Sequence, residues 1–237
     1  KQNQIIEFVF ELRFIANPKV LDFRGTLADK LISEFNFPHW RITENRVDVF
    51  TDNKDPDRSQ EKVFISYTNA GFVIRDIKNS SKLNSFSSKF HDLLFSQKDI
   101  FPNKKILITR LGAKTKIGTE FKGDFDELLD IYKKRYLAPN EKLNSVFGAS
   151  NKDIGGFLDF VTDDDKKIKS MSGPMEGKQI LQYFPHHIDI PDLIFFFDID
   201  SSVQPKKEMN VFESKKITEE LFKKNRITHN KVLQYNA

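Results

Sequence analysis

The stretch Ile5-Ile6-Glu7-Phe8-Val9-Phe10-Glu11-Leu12-Arg13-Phe14 sets the architecture. Ile6, Phe8, Phe10, Leu12 and Phe14 fall on one side of an extended chain, while Glu7, Glu11 and Arg13 share the other with Ile5 and Val9. A period of two, filled by aromatic and β-branched residues, predicts a half-buried strand. Asn17-Pro18 breaks the strand, and Val20, Leu27, Leu31 and Phe35 then recur at helical spacing until Asn36 and Pro38.

Strand-like stretches follow at Trp40 to Ile42, Val47 to Phe50, Val63 to Thr68 and Phe72 to Ile77, with Asn69-Ala70-Gly71 expected to supply the positive φ of a hairpin turn. Leu83, Phe86, Phe90, Leu93 and Leu94 predict a second helix that closes before Pro102. The second half repeats the order. Ile106 to Ile117 is expected to be a strand interrupted at Gly112, and Phe125, Leu128, Leu129, Tyr132 and Tyr136 a helix. Asp124 precedes that helix, and Glu127 three residues on stands in a position resembling a capping box. Strands are expected at Phe157 to Val161, Gln179 to Phe184 and Leu193 to Ile199, and a last helix from near Val211 through Val232.

The expected fold class is therefore α+β. Two tandem β-α-β-β-β-α units, residues 1–102 and 103–237, would carry antiparallel sheets with helices packed on one face, as one compact pseudo-symmetric domain. A groove shared by the two units is the default binding site.

Composition narrows the class. With 237 residues, 38% hydrophobic and 24 of them Phe, the chain can build a core, which excludes a disordered tail or a collagenous repeat. The absence of Cys excludes a disulfide framework and a thiolate zinc site, and suits a reducing compartment. No run of 18 apolar residues and no n-region plus h-region leader is present, so no membrane partner is expected. The sequence opens at Lys1 without Met, which leaves room for a removed leader. A formal charge of +4, spread along the length, gives general attraction to polyanions without a footprint.

The opening Ile6-Glu7-Phe8-Val9-Phe10-Glu11-Leu12-Arg13-Phe14, the central Thr109-Arg110-Leu111-Gly112, the closing Phe197-Asp198-Ile199-Asp200 and the late Leu221-Phe222 before Arg226-Ile227-Thr228 resemble one bacterial family. Its members are sporadically distributed, functionally uncharacterised proteins of about 250 residues. The resemblance implies a cytoplasmic protein of patchy occurrence, as accessory or defence-linked genes often have, and implies no reaction.

Four residues carry the candidate chemistry. Asp198 and Asp200 end an apolar strand, and a spacing of two puts both carboxylates on one face, where such a pair can hold Mg²⁺ for phosphoryl transfer. A third carboxylate would be needed, and Glu7 and Glu11 could serve only if their strand lay adjacent. Arg13 and Arg110 sit on the polar sides of their strands, where a guanidinium needs a carboxylate or an anionic ligand.

Other motifs fail on spacing. Gly173 to Gln179 has three residues between its glycines where a phosphate loop has four, and Gln179 where Ser or Thr is required, so a hairpin tip is expected there. His186-His187 point to opposite faces of an extended segment, and no Gly-x-Ser-x-Gly elbow occurs. Gly71-Phe72-Val73-Ile74-Arg75 resembles the stacking strand of an RNA-recognition module but lacks its second aromatic, which assigns Phe72 to the core.

No catalytic set is complete and no cofactor motif survives. The leading expectation is a non-catalytic intracellular binding module, a protein-interaction accessory component with another protein as partner. The alternatives are a nucleic-acid or nucleotide binder using Arg13, Arg110 and the Lys-rich helices, whose basic stretches include Lys223-Lys224-Asn225-Arg226, and a metal-dependent phosphoryl-transfer enzyme using Asp198 and Asp200.

Overall fold

The computed structural model describes residues 4–52, 55–75, 80–136, 153–162, 166–185 and 190–234. Its strands are β1 Gln4–Phe14, β2 His39–Ile42, β3 Arg46–Phe50, β4 Glu61–Ser66, β5 Asn69–Arg75, β6 Ile106–Glu120, β7 Gly156–Val161, β8 Lys167–Glu176, β9 Leu193–Val203 and β10 Lys207–Met209. Its helices are α1 Lys19–Asp22, α2 Arg24–Phe35, α3 Ser80–Ser96, α4 Phe125–Tyr136, α5 Gly177–Tyr183 and α6 Val211–Gln234. The chain is a mixed α+β protein with one antiparallel sheet in the order β2-β3-β4-β5-β1-β6-β9-β8-β7. β10 pairs with the first residues of β6, on the side that β9 occupies further along.

β1 lies at the centre, paired along nearly its whole length with β6, so both halves of the sequence share one continuous sheet. The period-two pattern orients it as expected. Phe10, Leu12 and Phe14 enter a core with Leu27, Leu31 and Phe35 of α2, Phe86 and Phe90 of α3, and Leu221 and Phe222 of α6. Phe72 is fully buried there, its ring 5.3 Å from Phe10 and 5.5 Å from Phe90. Each such ring contributes roughly 2–3 kcal/mol relative to exposure. On the same side of the sheet, α4 packs Leu128 and Tyr132 on Leu193, Phe195, Phe197 and Ile199 of β9.

Local chemistry explains the element ends. Asn36 closes α2 in the left-handed conformation, φ 54°. Asp124 Oδ1 accepts the Glu127 amide at 2.8 Å before α4, as the capping pattern requires.

Four local expectations are corrected. Asn69-Ala70-Gly71 is the start of β5 with no positive φ, and the turn is Tyr67-Thr68. Gly71 is needed for space: a Cβ there would meet the Phe10 carbonyl and lie 2.7 Å from the Phe64 ring. Gly112 does not interrupt β6, which runs unbroken for 15 residues. Ser172 to Glu176 is the body of β8 and not a hairpin tip, and the β7–β8 turn is closed by the Thr162 amide on the Lys166 carbonyl. Pro174 lies beyond the β7–β8 ladder, which ends at Ser172, so no ladder bond to β7 is lost there.

Gln179 to Phe184 was expected as a strand and belongs instead to α5 and its C-terminal cap, capped by a reciprocal pair between Glu176 and Gln179. Its Ile180 and Phe184, four apart, cover Ile5, Ile194 and Phe196. This short helix packs on the opposite face from the other helices, so the helices do not all share one side.

Candidate functional site

Away from α5, the second face of the sheet centre carries charge where the first carries phenylalanine. The registers set Arg13 opposite Arg110, Glu11 opposite Gly112, Val9 opposite Lys114 and Glu7 opposite Lys116. Across β6, Lys114 faces Asp200 and Lys116 faces Asp198. All four residues singled out from the sequence thus project from one face of three neighbouring strands.

Two guanidinium groups directly opposite would repel, and both resolve this by leaning one rung along. Arg13 Nε donates to Glu11 Oε1. Arg110 lies over Gly112, where a Cβ would come within 2.5 Å of its guanidinium, and donates from Nη2 to both Asp200 oxygens at 2.9 and 3.1 Å. Its Nη1 reaches Glu11 at 3.4 Å. Lys114 Nζ meets Asp198 at 2.7 Å, and Lys116 Nζ meets Glu7 at 2.6 Å. Glu7 also takes Arg75 Nε at 2.8 Å. The result is a ladder of ion pairs across β5, β1, β6 and β9.

Burial tunes two of its carboxylates in opposite directions. Burial alone would raise Glu7, but the Lys116 and Arg75 cations and their hydrogen bonds outweigh it and hold the carboxyl below its usual range. Burial raises Asp198, and Lys114 offsets this only in part. Among the described residues Asp198 Oδ1 is buried with no hydrogen-bond partner, an unsatisfied point of the ladder.

Arg13, Arg110 and Asp200 line one hollow of about 210 Å³ with Val9, Glu11 and Lys114. Glu7 and Glu11 are separated from Asp198 and Asp200 by β6. Among the described residues no group of three or more His, Asp or Glu is placed to hold a metal. Asp198 and Asp200 each hold a basic side chain of the protein itself, and His186-His187 lie outside the described residues. A hollow of about 670 Å³ beside Arg24 and Thr43 is shallow, and Arg24 there is tied to the Thr43 and Glu44 carbonyls.

The face runs outward to an edge that sequence reasoning recognised only as a strand. β7 ends the sheet, and Phe157, Leu158, Phe160 and Val161 are exposed on its two sides, Phe157 at 66% and Val161 at 68%. Phe157, Asp159 and Val161 continue the ladder face, with Asp159 3.4 Å from Lys169. Lys114 and Lys116 were also missed, although Arg110-x-Gly112-x-Lys114-x-Lys116 alternates with the same period as Asp198-x-Asp200.

No family model and no curated protein matches the chain. Among the described residues, no helix is long and apolar enough to cross a membrane.

Proposed function

We propose that this chain is a non-catalytic binding module for another protein, which adds an extended segment to the β7 edge and rests against the charged face beside it. The observation that carries this reading is β7. Among the described residues β7 has no strand beyond it, and an edge strand with apolar side chains on both faces and a single charge, Asp159, is a template for strand addition. The ladder adjoining it supplies oriented ion pairs that select a partner by complementary charge.

The two-unit organisation, divided between residues 102 and 103, belongs to the same proposal. It is supported by the strand order, which runs β5, β4, β3 outward from β1 and β9, β8, β7 outward from β6. Membership of the sporadic bacterial family, a cytoplasmic location and a defence-linked accessory role rest on the quoted motifs alone.

For the alternatives, the ladder is less suitable. A phosphate at Arg13 or Arg110 must displace Glu11 or Asp200, and a metal at Asp198 and Asp200 must displace Lys114 and Arg110.

Affinity capture with the full chain tests the proposal, comparing wild type with a Phe157→Asp, Val161→Lys double variant. A protein species retained by wild type and lost from the variant is expected. Equal retention by both, or capture of nucleic acid that disappears steeply with salt, contradicts it.

A further inference from the structure

A second hollow, of about 470 Å³, lies on the helical side of the sheet, where α6 and the start of α3 part over β1 and β6. Ile6 and Phe8 point toward the helices, as Phe10 and Leu12 do, yet they are only half-buried where the latter are fully enclosed. The helix layer stops short of the strand here. Ile117, Leu83 and Phe222 complete an apolar floor, with Phe222 edge-on to Phe8 at 5.8 Å.

The rim is basic. Lys223 and Arg226, one turn apart on α6, both line the hollow, and neither has a carboxylate within ion-pair range among the described residues. They outnumber Glu219 on the same lining. His229, buried beside them at 6% exposure, is neutral at pH 7, because burial lowers it to about 4 against the opposing effect of its hydrogen bond to Asn230.

An apolar floor, a volume within the range of small-ligand sites and cations that no described carboxylate pairs, at one end, describe a specific ligand chemistry. We infer that this hollow binds a small amphipathic carboxylate, its apolar body on Ile6, Phe8 and Phe222 and its anionic head at Arg226 and Lys223. The site lies on the opposite face from the ladder, so it is independent of the proposed protein interface.

Isothermal titration of the full chain with decanoate tests it, with decanol as the uncharged comparison. Saturable binding is expected, weakened at least roughly tenfold for decanol and for a Lys223→Ala, Arg226→Ala double variant on the helix surface. Ile6→Trp, which fills the floor, is expected to abolish it, and Phe157→Asp to leave it unchanged. No binding at about 1 mM decanoate, or binding undiminished both for decanol and in the Lys223→Ala, Arg226→Ala variant, overturns the inference.

Discussion

Glu11 stands between two glycines, Gly71 across one side of β1 and Gly112 across the other, and each is there for a different neighbour. At Gly71 the neighbours are the Phe64 ring and the Phe10 carbonyl, and the carbonyl, held in the backbone of β1, cannot step aside. At Gly112 the neighbour is the end of the flexible Arg110 side chain. Gly71→Ala is therefore predicted to cost about 3 kcal/mol of stability, and Gly112→Ala about 1 kcal/mol or less, with Arg110 released from Asp200. Urea midpoints of the two variants check the order. The buried charges differ in the same manner. Glu7→Gln leaves Arg75 and Lys116 poorly compensated and is predicted to cost about 3 kcal/mol. Asp198→Asn removes a carboxylate that burial disfavours, and is predicted to be neutral or stabilising at pH 7, so a loss equal to that of Glu7→Gln would contradict the assignment.

The pH dependence follows from Glu7 and from a buried histidine. Glu7 is held below its ordinary value of 4.5, so its contribution is present above that pH and is lost as pH falls toward the folded value. His91, enclosed by Phe10, Phe90 and Phe95 and hydrogen-bonded to the Ser87 carbonyl, is lowered by burial from 6.5 to about 4. Above pH 6.5 the ring is neutral whether folded or not. Between about 6.5 and 4 only the unfolded chain takes the proton, and stability falls over that window by up to about 3 kcal/mol. The His91 ring resonances should titrate near 4, and a midpoint near 6.5 would contradict this.

At the scale of elements, α6 is fixed to the sheet by a residue hidden in a basic run. Asn225, fully buried between Lys224 and Arg226, donates to the Ala113 carbonyl at 2.8 Å and accepts from Ser201 Oγ at 2.5 Å, joining α6 to β6 and β9. Asn225→Ala is predicted to cost about 2–3 kcal/mol and to raise hydrogen exchange along α6, whereas Lys224→Ala is predicted to change neither. β1, α3, α4 and α6 were legible in the sequence because each shows one clean period over ten or more residues. Gln179 to Phe184 was not, because six residues with Ile, Leu, Tyr and Phe fit either period, and the Glu176–Gln179 cap that decides it depends on side-chain geometry. The ladder was half legible. Arg13, Arg110, Asp198 and Asp200 stood out as polar residues in apolar strands, but their convergence requires β1, β6 and β9 to be neighbours, which spacing along the chain does not reveal.

Across the whole molecule, one sheet separates two environments. The helical side holds the phenylalanine core and the hollow under α6, and the other side holds the ion-pair ladder and runs to β7. The ladder's charges are satisfied within the protein, apart from Asp198 Oδ1, which makes it a surface of fixed pattern on which a partner is positioned. The apolar side chains of β7 supply the contact area. The most direct test is photo-crosslinking with benzoylphenylalanine placed at Phe157 and, as control, at Lys134 on the exposed side of α4. The account predicts a discrete crosslink to a different protein from position 157 and none from 134. No product at 157 beyond that at 134, or a product containing nucleic acid or only a second copy of this chain, would contradict it.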